Sequence, residues 1–129
     1  MADPQDPQGV VSALQDLDYG IAGFERVAYK PAFLNATASG NTQLVAAVAG
    51  RRIRVVGILV TNEGAATIAF KLQSASTDIT ATHDLAADGG GFTLNALPAF
   101  YCQTAVGEAL NANLSGVGTV GVDVRYVEV

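Results

Sequence analysis

Arg51 to Ser74, RRIRVVGILVTNEGAATIAFKLQS, constrains this chain more than any other stretch. Apolar residues alternate with others on both sides of Asn62-Glu63-Gly64. Period-two alternation around a glycine-containing turn predicts a β-hairpin. On its first strand Ile53, Val55, Gly57 and Leu59 are expected to face the core, and Arg52, Arg54, Val56, Ile58 and Val60 the other side. On its second, Ala66, Ile68, Phe70 and Leu72 are expected inside, with Thr67, Ala69, Lys71 and Gln73 outside. The first strand is apolar on both faces through its middle. That suits a central strand covered on both sides, or one lying in an interface.

More strands follow from the same pattern. They are expected at Leu44–Val48, Thr77–Thr80, His83–Ala87, Phe92–Ala96, Phe100–Thr104 and Ala109–Leu114. A last strand begins near Val120, with Val120, Val122, Val124 and Tyr126 inward, paired as far as Val129. Turns recur between them, as at Asp88-Gly89-Gly90-Gly91, and no helical period separates them. This excludes a parallel α/β sheet and predicts an antiparallel sandwich or barrel. At 129 residues the chain is long enough for one domain with a real core.

The first 39 residues differ, and predict an N-terminal arm ahead of a β-sandwich over residues 40–129. Asp6-Pro7 offers a helix cap followed by proline at the first helical position. Val10, Val11, Leu14 and Leu17 then share one face of a short helix. Either this is a loose tail, or its apolar stripe docks on a partner. A free helix so short is marginal in water. Pro31 interrupts a strand expected at Phe24–Leu34, which marks it as an edge strand or an arm crossing an edge.

Charged residues are only 15% of the chain, against about 25% in ordinary domains. Such a chain has difficulty covering its surface with polar groups, which predicts a homo-oligomer. The net charge of −5 and 7 basic residues argue against nucleic acid. Arg51, Arg52 and Arg54 form the one basic cluster: a solvated strand end, or a patch that binds carboxylates of a partner. No stretch reaches the ~18 apolar residues of a membrane span, and no secretory leader is expected.

Catalytic chemistry is not expected. His83 is the only histidine and Cys102 the only cysteine. Asp84 follows His83 in a strand and would face the opposite side. Zinc would need more His or Cys ligands. Cys102 lies among Phe100 and Tyr101, where a free thiol behaves as a small hydrophobe. The glycine run lacks the Lys-Ser/Thr of a phosphate-binding loop. No cofactor or metal is expected.

One resemblance goes further. Ala49-Gly50-Arg51-Arg52-Ile53-Arg54-Val55-Val56-Gly57, then Thr67-Ile68-Ala69-Phe70-Lys71, Leu85-Ala86-Ala87-Asp88-Gly89-Gly90, Gly107-Glu108-Ala109-Leu110-Asn111 and Val117-Gly118-Thr119-Val120-Gly121 resemble, in order and spacing, head decoration (cement) proteins of tailed bacteriophages. The resemblance covers about residues 40–129. It implies a jelly-roll-like β-sandwich, often trimeric, made in the host cytoplasm and carried on the virion capsid. The implied partner is the major capsid protein or another virion protein. Independently of the resemblance, the apolar stripe and the prolines predict that residues 1–35 make the main contact, with the major capsid protein or a neighbouring copy of this chain. Two rival readings are a receptor- or glycan-binding knob and a tail or connector subunit.

Overall fold

The structure, a computed structural model, describes residues 19–22 and 25–129. Every regular element among them is a β-strand. A small hairpin comes first, β1 (Tyr19–Ala22) against β2 (Glu25–Ala28). Ten further strands follow: β3 (Lys30–Ala36), β4 (Gly40–Val45), β5 (Ile53–Asn62), β6 (Ile68–Ser74), β7 (Thr77–Asp78), β8 (His83–Leu85), β9 (Gly90–Asn95), β10 (Cys102–Gln103), β11 (Leu110–Leu114) and β12 (Val120–Glu128). They make two antiparallel sheets of 5 strands each. In the first, β5 lies between β12 on one side and β9 and β10 on the other, and β3 pairs the far side of β12. In the second, β6 lies between β11 on one side and β7 and β8 on the other, with β4 beyond β11. The chain is an antiparallel β-sandwich, as the alternation predicts.

The expected central hairpin does not form. β5 and β6 belong to opposite sheets, and residues 63–67 carry the chain across the gap. The reason lies in competition for the edges of β5. Both are taken, by β12 and by β9 with β10, so β6 has nowhere to pair. Asn62 makes the crossing. It is fully buried, its Nδ2 donates to the carbonyls of Ala66 (2.8 Å) and Leu85 (3.1 Å), and its Oδ1 accepts from Gly64 N (2.9 Å). Its own carbonyl accepts from Gly89 N at 2.7 Å, tying the crossing to the turn before β9.

A second correction concerns which residues of β5 face inward. The pairing with β12 slips by one between Tyr126, opposite Val55, and Arg125, opposite Gly57, leaving Val56 as the extra residue of a β-bulge. Alternation therefore changes phase at Val56. Ile53 and Val55 are buried as expected, but Ile58 and Val60 follow them inward and Leu59 is left 46% exposed on the outer face. Val56 and Val127, both expected outside, are buried too. They share a small hollow with Leu97, Pro98, Ala99 and Phe100, the segment after β9, so this segment lies over the outer side of the sheet there. Gln73 is also buried, because its amide donates to Asp78 Oδ1 at 2.6 Å.

Ala66, expected inside, is exposed in the crossing before β6, where no strand pairing fixes its face; the remaining core follows the expected faces. Val120, Val122, Val124 and Tyr126 of β12 join Ile53, Val55, Ile58 and Val60; across from them stand Ile68, Phe70, Leu72, Leu110, Ala112 and Leu114. Antiparallel sandwiches pack their inner faces about 10 Å apart, which suits medium-sized aliphatic side chains. The final strand is paired to its end: Arg52 N donates to the Val129 carbonyl (2.7 Å) and Val129 N to the Arg52 carbonyl (3.0 Å).

The sandwich starts earlier than residue 40. β3 pairs β12 from Lys30 to Ala36, and Ala36 is fully buried. The strand expected at Phe24–Leu34 is broken at Tyr29 into β2 and β3. Pro31 sits on β3 opposite Arg125, on an edge strand, as the loss of its N–H requires. The expected short helix with Val10, Val11, Leu14 and Leu17 lies outside the described residues.

Candidate functional site: the outer face of the first sheet

The register of β3, β12, β5 and β9 decides what this face presents. Ala32, Leu34 and Ala36 stand opposite Val124, Val122 and Val120, on the core side. Phe33 is thereby turned outward, opposite Asp123, and Asp123 in turn stands opposite Leu59. Thr93 of β9 completes the row opposite Leu59. Two residues along, Pro31, Arg125, Gly57 and Asn95 form a second row on the same face.

Gly57 makes this face concave. A Cβ there would sit 3.7 Å from Arg125 Cβ and from the Leu94 carbonyl, so the space above it is open to a side chain that glycine does not supply. A groove of about 570 Å³ lies on this face, lined among others by Phe33, Leu59, Leu97, Tyr29, Asp123 and Arg125. Phe33 is 78% exposed. The solvent face of an antiparallel sheet is normally polar, so an exposed phenylalanine and leucine make this face the candidate contact surface.

The arginine cluster lies at one end of the same sheet. Arg54 donates from Nε to Gln103 Oε1 (3.2 Å), and its guanidinium lies 4.5 Å from the centre of the Phe100 ring. That stacked arrangement suits a planar cation. Arg52 Nη1 reaches the Thr104 carbonyl at 3.5 Å. The backbone of Arg51 accepts from Gly107 N (2.8 Å) and donates to the Val48 carbonyl (3.1 Å). Arg52 and Arg54 thus hold β10 and the residues on either side of it, Phe100 and Thr104, against β5. The remaining partner-binding candidates, Val10, Val11, Leu14 and Leu17, lie outside the described residues.

His83 and Cys102 are not brought into a catalytic arrangement. Cys102 is buried opposite Val55, and burial pushes its thiol up to about 12. A thiol so protonated is a poor nucleophile. The His83 ring packs 5.2 Å from Phe92, which in turn lies 6.2 Å from Phe70, bridging the two sheets at their open side. Among the described residues, no group of three His, Cys, Asp or Glu side chains is placed to hold a metal.

Sequence reasoning missed Phe33, Tyr29 and Leu97 as surface residues of interest. The Ala32-Phe33-Leu34 alternation carried the first of them, because Phe33 must face opposite to its neighbours once β3 is a strand. No family model matches this chain, and neither a curated protein nor a solved structure is significantly similar to it.

Proposed function

We propose that this chain is a non-enzymatic structural protein of a tailed-phage virion: a decoration (cement) protein that acts as a homotrimer on the head shell, with the major capsid protein as its partner. The observation that carries this reading is the strand order. β3-β12-β5-β9 faces β4-β11-β6-β8, and consecutive long strands alternate between the sheets. That order supports classing the sandwich as a jelly roll, an architecture used by viral capsid proteins and by lectins. The sequence resemblance to decoration proteins agrees with it. So does an exposed apolar face on a chain with little charge. Such a protein stabilises a shell by bridging neighbouring capsomers. Several weak contacts per oligomer then act together.

Cryo-electron microscopy of virions from the phage that encodes the chain, with copy number by quantitative mass spectrometry, tests this. Density at regular positions over the shell, in numbers matching the capsomers, is the expected result. A few copies confined to the tail would overturn it in favour of a tail or connector subunit. A virion without the chain would remove the virion role altogether.

A receptor- or glycan-binding role is the second reading, favoured by one feature. His83, Asp84, Phe92 and Tyr101 line a hollow of about 450 Å³ between β8 and β9. The rings of Phe92 and Tyr101 offer a flat apolar surface on which a sugar can stack. Specific binding on a glycan array, abolished by Tyr101→Ala, would favour this role over cement.

A further inference from the structure

We propose that a second copy of this chain docks face to face on the outer side of the first sheet, across a two-fold axis that crosses β3, β12, β5 and β9 between their two outward rows. This concerns how copies meet, and stands whether or not the virion role does.

The two rows lie two residues apart along every strand, about 7 Å. Phe33, Asp123, Leu59 and Thr93 share the first, and each has a second-row residue on its own strand. A two-fold contact presents the same patch from both sides, so residue i meets residue j and j meets i. With the axis between the rows, the first row of one copy lies over the second row of the other, each strand over its own counterpart. β12 then runs antiparallel to its copy. Facing sheets with nearly aligned strand axes are an ordinary packing.

Each strand then brings together groups that fit. On β12, Asp123 meets Arg125 of the second copy, and Arg125 meets the other Asp123. Both side chains are exposed, and among the described residues neither is in an ion pair within its own chain. A carboxylate and a guanidinium are thus both open to a partner. On β5, exposed Leu59 comes over Gly57, where no side chain opposes it. On β3, exposed Phe33 comes over the apolar ring of Pro31. On β9, Thr93 comes over Asn95. The Asn95 Oδ1 accepts from Leu97 N (3.2 Å), which leaves its Nδ2 to donate to the threonine hydroxyl.

The charges also select this position of the axis. Moved onto the first row, it would set Asp123 on Asp123 and Leu59 on Leu59. Moved onto the second, it would set Arg125 on Arg125 and leave a gap at Gly57. Like charges face to face are costly in an interface.

Sedimentation equilibrium on the full chain tests this. Two rows across four strands make a small contact, of the size that goes with weak association, so it is read up to about 1 mM, well above the micromolar range. There the species present at micromolar concentration should double in mass, whether that species is one chain or three. Asp123→Arg and Arg125→Asp should each raise the concentration needed by roughly tenfold or more, because the two-fold axis makes each change act twice. The two substitutions together should restore doubling, since they only exchange the ends of the same pair. Both positions are exposed, so the variants should keep the parent melting temperature. Gly57→Val, which fills the hollow that Leu59 enters, should weaken doubling independently of charge. No doubling in the parent up to that concentration would overturn the proposal. So would doubling that ignores the single charge changes or Gly57→Val, which would move the contact elsewhere. A folded double variant that stays undoubled would show that Asp123 and Arg125 do not meet each other, and would sink the two-fold arrangement.

Discussion

Asn62 and Cys102 are both buried, and their burial has different consequences. Asn62 is fully buried with both ends of its amide satisfied, each partner being a backbone group of the crossing or its neighbour. Removing the side chain leaves Gly64 N and the Ala66 and Leu85 carbonyls short of a partner. Buried groups so stranded cost about 1–3 kcal/mol each, less where water enters. Asn62→Ala should therefore lower stability by about 3 kcal/mol in chemical denaturation; a loss below about 1 kcal/mol would mean that water replaces the amide. Cys102 behaves differently, because burial raises its thiol to about 12. Above pH ~9 the unfolded chain releases this proton while the folded chain keeps it, since an unperturbed thiol titrates near 8.5. The unfolded state then binds fewer protons, so stability falls as pH rises from about 9 toward 12. Cys102→Ala should flatten that alkaline decline relative to the parent. Tyr101, also raised by burial, leaves a residual slope. An unchanged alkaline profile would refute the assignment.

At the scale of the element, the bulge at Val56 is what separates a core residue from a surface one. Leu59 and Phe70 both occupy positions that simple alternation puts inside, yet Leu59 is 46% exposed and Phe70 is 1% exposed. Phe70→Ala should cost about 3–5 kcal/mol, the range for emptying a buried phenylalanine site. Leu59→Ala should cost under about 1 kcal/mol, as surface substitutions do. Parity between the two in urea melts would contradict the bulge. Two glycines, one in β9 and one in the turn between β11 and β12, carry a similar distinction. A Cβ at Gly91 would collide with the Val60 carbonyl oxygen, whereas Gly116 has nothing within 4 Å. Gly91→Ala should destabilise by roughly 1–3 kcal/mol through overpacking, and Gly116→Ala should be near neutral. Comparable melting temperatures for the pair would show that β9 shifts to make room.

For the whole molecule the question is how so weakly charged a surface stays in solution. With 15% charged residues and a groove lined by Phe33, Leu59 and Leu97, association is the expected remedy. The proposed trimer should give three times the chain mass of 13.2 kDa in light scattering at micromolar concentration. A monomer mass there would count against it.

The sequence by itself determined that the chain is all-β and that its core is aliphatic. It also determined the inward faces of β6, β11 and most of β12, because side-chain alternation along a strand is local and survives any pairing. It placed the turn at Asp88-Gly89, where both residues adopt positive φ (59° and 109°). Tertiary structure alone decided which strands pair. Asn62-Glu63-Gly64 has the composition of a hairpin turn, but β12 and β9 hold both edges of β5 and send the chain to the other sheet. Tertiary structure also decided the bulge, since an extra residue is defined only against a partner strand, and with it the fate of Leu59. The candidate face was illegible for the same reason. Phe33, Asp123, Leu59 and Thr93 become one row only through the register of four strands, β3, β12, β5 and β9, and no local pattern in the chain encodes that register.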